Sequence, residues 1–226
     1  MICLFFTFLL FAKSEMDSLL NVLDKTIENY QIYSNLKEQK LNQLKDLLKI
    51  TIADEQRYIL CGKLFDEYRS YKSDSALTYA RKKLVIAEKL NDITRLNDAR
   101  LNLTSIMGTL GMYKEAMDIL NEVDIKTSPF LKAYYFHIYR TIYGSMSDYA
   151  VSSQEKSRYD FQTAAFRDSL LVVNPPASGT HVMVRSDQLI VKKQFDEALK
   201  ILLPFFTTIK DNNHDKVGKF STLNKG

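Results

Sequence analysis

The side chains that could do chemistry are few and scattered. His137, His181 and His214 are far apart, and none stands four residues from another His, Asp or Glu, as a helical ligand pair would. Two cysteines, Cys3 and Cys61, are too few for a disulfide framework or a Cys/His metal cluster. Carboxylates such as Asp66-Glu67 and Glu115 fall on polar helix faces, and none pairs with another in the apolar setting that acid–base work requires. No nucleophile elbow, phosphate loop, dinucleotide fingerprint or zinc spacing occurs. Cys61 sits at a small-residue position of a helix face, which reads as packing rather than as a reactive thiol. The expectation is a protein that is not an enzyme and takes no metal and no cofactor.

Tyrosine is the one concentrated residue type. Six of the 13 Tyr lie between Tyr134 and Tyr159. Tyr135, Tyr139 and Tyr143 are spaced i, i+4, i+8 on one helix face, with His137 and Arg140 on neighbouring faces. A large apolar body with a polar tip suits peptide and sugar surfaces, so the stripe is a candidate ligand-binding site. Solenoids also bury aromatics between adjacent helices, and that packing reading ranks first.

Composition narrows the elements that must hold these residues. The chain has 226 residues, 46% apolar and 26% charged, so it can build a core and is not wholly disordered. Seven Gly and four Pro are too few for the many turns of a β-sandwich or barrel. A net charge of +4 is mild. The runs Arg81-Lys82-Lys83 and Lys192-Lys193 read as solvated helix faces, and no helix-turn-helix with a basic recognition helix is evident. No direct nucleic-acid binding is expected.

The amino terminus reads as a leader. Ile2 to Ala12 is an apolar run of eleven positions, too short for the roughly 20 residues of a membrane span. It fits a secretory apolar segment, with Ala12 and Ser14 as the small residues before a cleavage site. No Lys or Arg precedes it, and a buried first element is the competing reading. The expected mature chain begins at Glu15, has no transmembrane span and lies in an extracytoplasmic (periplasmic) space.

From residue 15 onward the apolar period is helical. Met16, Leu19, Leu20, Leu23, Ile27 and Tyr30 mark a first helix, with a break expected at Ser34-Asn35 and an Asn35/Glu38 capping box opening a second. Further helix starts are expected at Asp54, at Ser73-Asp74 acting as a cap, near Asp92 and at Ser128-Pro129, where Pro is harmless in the first turn. Gly111 suits the left-handed position past a helix end. Pro175-Pro176 breaks the chain, and Ser178-Gly179 extends that loop.

Three helix starts match in register. Asp74-Ser75-Ala76-Leu77, Lys114-Glu115-Ala116-Met117 and Asp196-Glu197-Ala198-Leu199 place Ala76, Ala116 and Ala198 at separations of 40 and 82 residues, one period and about two. Tyr113 and Phe195 precede two of them by three residues. Leu110-Gly111-Met112-Tyr113-Lys114-Glu115-Ala116 resembles the inter-helix turn of a tetratricopeptide repeat, where a small residue permits close helix packing. The expected fold is all-α, a tetratricopeptide-like α-α superhelical solenoid of about five helical pairs. These span roughly 15–50, 54–91, 92–124, 128–172 and 177–211. A polar tail follows over 212–226 and reads as a truncated next repeat.

Several stretches together carry a family resemblance: Leu23-Asp24 with Tyr33, Lys37-Glu38 and Leu44-Lys45; Leu64-Phe65-Asp66-Glu67-Tyr68 with Asp74-Ser75-Ala76; Gly111 to Ala116; and Arg167-Asp168-Ser169-Leu170. From about residue 17 to 217 the chain resembles the amino-terminal region of the tetratricopeptide-bearing regulators of Gram-negative gut-type bacteria, catalogued as a domain of unknown function. The resemblance implies an exported sensor region, followed in such regulators by a membrane helix, a coiled coil and a cytosolic DNA-binding domain. A protein or peptide partner is expected, with a small ligand or a glycan as the further option, and the resemblance brings no known site residues. A free periplasmic assembly scaffold and a glycan-binding repeat protein are the alternative readings. Against the glycan reading, Trp is absent and no lipoprotein cysteine follows the apolar run.

Overall fold

A computed structural model describes residues 20–211; the expected leader at 1–14 and tail at 212–226 lie outside the described residues. All regular structure among the described residues is helical. The chain divides into two units, one ending at Thr51 and the other starting at Ile52.

In the first unit, residues 20–28 are helical and α1 follows over Tyr30–Ile50. Backbone hydrogen bonds run straight through Asn29. Its N–H donates to the Lys25 carbonyl at 3.1 Å, and its own carbonyl accepts from Ile32 and Tyr33 at 3.0 and 3.2 Å. The expected break at Ser34-Asn35 is therefore corrected, and residues 20–50 form one nearly continuous helix rather than a helical pair. Asn35 does not cap; its side-chain oxygen accepts from Gln31 Nε2 at 3.2 Å, one turn back. Ser and Asn are weak helix formers, but with no Gly or Pro beside them they do not stop a helix.

The second unit contains α2 (Asp54–Tyr68), α3 (Ser73–Leu90), α4 (Ile93–Thr109), α5 (Tyr113–Asn121), α6 (Lys132–Asp148), α7 (Ser153–Val173), α8 (Gly179–Val191) and α9 (Phe195–Asp211). They pack as pairs, α2 with α3, α4 with α5, α6 with α7 and α8 with α9. The pairs join through α3 with α4, α4 with α6 and α7 with α8, the nearest-neighbour stacking of a solenoid. The core is a file of fully buried side chains: Phe65, Leu101, Ile106, Leu120, Ile138 and Leu170. Each contributes about 1.5–3 kcal/mol by burial.

Local chemistry sets the boundaries. The Asp92 carboxylate accepts from the N–H groups of Thr94 and Arg95 and opens α4. Ser152 and Glu155 form a reciprocal capping box at α7. Pro129 starts a short 3₁₀ turn, Pro129–Leu131, that runs into α6. Two expectations are corrected. Ser73 is the first residue of α3 and caps nothing, since the N-cap is Lys72 without a side-chain bond. Ser178 is not loop extension but the N-cap of α8, accepting from the His181 N–H.

The basic run on α3 is corrected too. Arg81 and Lys82 are exposed, but Lys83 is 4% exposed. Its ammonium meets Asp98 Oδ2 of α4 at 2.6 Å and lies over the Tyr58 ring of α2, and the Tyr58 hydroxyl donates to the same carboxylate. Lys83 is buried because Asp98 neutralises it, so three helices are pinned through one ion pair.

Candidate functional site

The register residues occupy equivalent places. Ala76, Ala116 and Ala198 are 0%, 0% and 2% exposed, each near the start of the second helix of its pair. Gly111 has φ +77° and Lys193 has φ +61°, and the two sit 82 residues apart, like Ala116 and Ala198. The same pair of backbone bonds closes both turns: Gly111 and Met112 donate to Gly108 and Met107, as Lys193 and Gln194 donate to Ile190 and Leu189. Gly111 is thus a glycine because of its backbone angle; a Cβ there would meet nothing within 4 Å. The close helix approach is made elsewhere. A Cβ on Gly108 would lie 2.9 Å from Ile142 Cγ1, which lets α4 and α6 pack tightly. Tyr113 is half-buried and Phe195 is 57% exposed.

The tyrosine stripe of α6 packs on α7. Tyr139 stacks on Phe166 with centroids 4.5 Å apart, and Tyr143 lies 5.9 Å from the same ring. Tyr135 meets Tyr139 edge-on at 4.9 Å. The Tyr139 hydroxyl donates to Asn121 Oδ1 at 2.9 Å, linking the stripe to the end of α5. Burial raises the Tyr139 hydroxyl above its ordinary range, with Tyr135 adding to the effect. Tyr139 is buried, while Tyr135 and Tyr143 are half-buried. None of the three lines either of two clefts to which other residues of α6 contribute.

Those clefts lie along the first helices of the pairs. One, about 210 Å³, has a floor of Phe65, Ile106, Ile138 and Ile142 and a polar rim that includes Arg69, Ser105 and Thr109. The other, about 270 Å³, lies between α6 and α8, lined by Arg140, Gly179, Thr180, Met183, Val184 and Asp187. His137 lines both. Burial lowers its pKa to about 4, helped by the positive charges of Arg140 and Arg69. At neutral pH the ring is therefore uncharged, with one nitrogen to donate and one to accept. Tyr134, on the same helix, is pushed up to about 12 by burial, with the Ser105 hydroxyl acting the other way.

Arg140 holds the second cleft together. Its Nη1 meets Asp187 Oδ2 at 3.0 Å, and Arg167 Nε of α7 reaches the same oxygen at 3.0 Å. Burial lowers the Arg140 pKa, Asp187 raises it and Arg167 lowers it. Sequence spacing reached His137 and Arg140 only as neighbours of the tyrosines; Asp187 and Arg167 carry no local signal, being brought in from other helices. Cys61 is buried, and burial raises its thiol pKa, so it packs rather than reacts. Among the described residues no cluster of three metal-ligating side chains occurs, and no helix is long and apolar enough to cross a membrane.

The chain matches no curated protein and no solved structure. Residues 27–225 do match one family, described as the SusR N-terminal TPR domain. The helical pairs, the shared turn and the register alanines are what a helical-repeat binding module is built from, and over nearly its whole length this chain belongs to the SusR N-terminal TPR domain family.

Proposed function

We propose that the protein is a binding module whose ligand face is the line of first helices α2, α4, α6 and α8, and that it serves as the extracytoplasmic sensor part of a transcriptional regulator. The observation that carries the reading is His137, the shared wall of two clefts that together span four helices. An apolar floor with a few convergent polar groups is the usual make-up of a ligand site. A ligand lying along this face bridges several repeats at once, so its binding stabilises the stack. Export is supported by the apolar run from Ile2 to Ala12.

Hydrogen exchange with and without a captured ligand tests the face. Protection is expected on α4, α6 and α8; protection confined to α3, α5 and α7 overturns it. Fractionation with amino-terminal sequencing tests export, which an intact cytosolic chain beginning at Met1 overturns.

A further inference from the structure

We infer that the cleft between α6 and α8 is a carboxylate site, taking an acid carried on a short aliphatic body. The inference rests on the first helices being the ligand face. Its basis is an imbalance of charge and of donors. Two guanidiniums converge on one carboxylate oxygen, Asp187 Oδ2, and each reaches it at 3.0 Å. The side chains of Arg140 and Arg167 are only 24% and 11% exposed. A guanidinium offers five N–H donors. Among the described residues Arg140 engages one of them, through Nη1, and its Nε is buried without a partner. Arg167 engages one, through Nε. Cations largely withdrawn from water need more compensation than half a carboxylate each supplies.

A second carboxylate entering the cleft redresses the charge shortfall through Arg140, the one of the two arginines that lines it. Arg140 lines the cleft, and a planar acid can meet the Nη1/Nη2 edge of its guanidinium, beside the bond that Nη1 makes to Asp187. Gly179 and Thr180, the first residues of α8, border the same space and add the positive end of that helix. His137, neutral at pH 7, opposes an anion with no charge of its own and can donate to it. Among the described residues Asp187 is the one acidic side chain lining the cleft, and its charge is already shared by two cations. Met183 and Val184 supply an aliphatic wall. The volume of about 270 Å³ admits a small acid or the last residue of a peptide, the remainder of which lies along the ligand face.

The test is calorimetric titration of the full chain at about 0.15 M salt. The probes are 4-methylpentanoate and its primary amide, and a short peptide ending in Leu with a free or an amidated terminus. The acid form is expected to bind at least about tenfold tighter than its amide. Arg140→Met should erase that preference, and Asp187→Asn, which frees both guanidiniums, should keep or increase it. Arg140→Lys covers the case in which Arg140→Met fails to fold: it keeps the charge, loses the fork and should reduce the preference. Tighter binding of the peptide acid makes the source a chain terminus; tighter binding of the free acid makes it a small molecule; either supports the site. Equal affinity for acid and amide, no binding of any probe, or an acid preference that survives both Arg140 variants overturns it. If the preference fails while exchange protection still falls on α4, α6 and α8, the carboxylate assignment alone is lost; protection that moves to α3, α5 and α7 removes the ligand face itself.

Discussion

The pairs α4/α5 and α8/α9 are two copies of one design that end in different environments. Both turns close with the same two backbone bonds and a left-handed residue, and both second helices bury an alanine at the same offset. Yet Leu120 of α5 is fully buried, whereas its counterpart 82 residues on, Leu202 of α9, is only half-buried. Tyr113 is half-buried where Phe195 is exposed, and Leu199 and Leu203 of α9 are 51% and 60% exposed. The difference is in neighbours. Within its unit α4 packs against α3, α5 and α6, while α8 packs against α7 and α9. In a solenoid a residue's burial is a property of its position in the stack, not of the repeat's own sequence.

The largest test of this comparison is truncation of the two leucines. Leu120→Ala should cost about 2–5 kcal/mol, the usual range for emptying a sealed core site. Leu202→Ala, already partly in water, loses less transfer energy and leaves an open dent rather than a cavity, so about 1–2 kcal/mol is expected. Urea melts of both variants decide it; equal losses would show that α9 is as enclosed as α5.

Overpacking comes next. Ala116→Leu and Ala198→Leu both place extra carbons where neighbouring atoms leave no exposed surface, and each should cost about 1–3 kcal/mol. Because α8/α9 has fewer neighbours among the described residues to resist a shift, Ala198→Leu belongs at the lower end. A thermal melt in which either substitution is neutral would mean that the helices do not approach closely there.

How much of this was legible in the sequence depends on whether the signal was local. The alanine register, the Asp92 start, the Gly111 stop and Pro129 all act within one turn of themselves, and each stands where its spacing puts it. Ser34-Asn35 misled because a weak helix former in an otherwise helical run does not break it. Lys83 carries no local sign of burial because its reason for burial, Asp98, lies 15 residues away on another helix. The clefts were invisible for the same reason. His137, Arg140 and Asp187 come together through helix stacking, and only the tyrosine stripe beside them had a period to notice.

The two first-helix caps are matched less evenly. Asp92 accepts from two N–H groups and adds a negative charge at the helix start, while Ser178 accepts from one. Asp92→Ala is expected to cost about 1–2 kcal/mol and Ser178→Ala about 0.5–1 kcal/mol. Guanidinium melts of the two variants would contradict the assignment if the order were reversed.

The smallest effect isolates the turn itself. Gly111 and Lys193 adopt the same left-handed angle, but only Gly111 is free of the clash between Cβ and backbone that such an angle imposes. That clash costs an L-residue roughly 1–2 kcal/mol. Replacing Lys193 by Gly removes it and returns about 0.4–1 kcal/mol of chain entropy to the unfolded state, which acts in the opposite direction. The net expectation for Lys193→Gly is a gain of about 0.5–1 kcal/mol. Lys193 is exposed, so no packing is lost with its side chain. Gly111→Lys is the reciprocal change, into a site where a Cβ meets nothing within 4 Å, so only the backbone angle opposes it. It should cost about as much as Lys193→Gly gains. If the double variant melts at the wild-type temperature, the two turns are interchangeable parts of one repeat. A loss in Lys193→Gly would mean that the Lys193 turn is held by something other than the bonds it shares with Gly111.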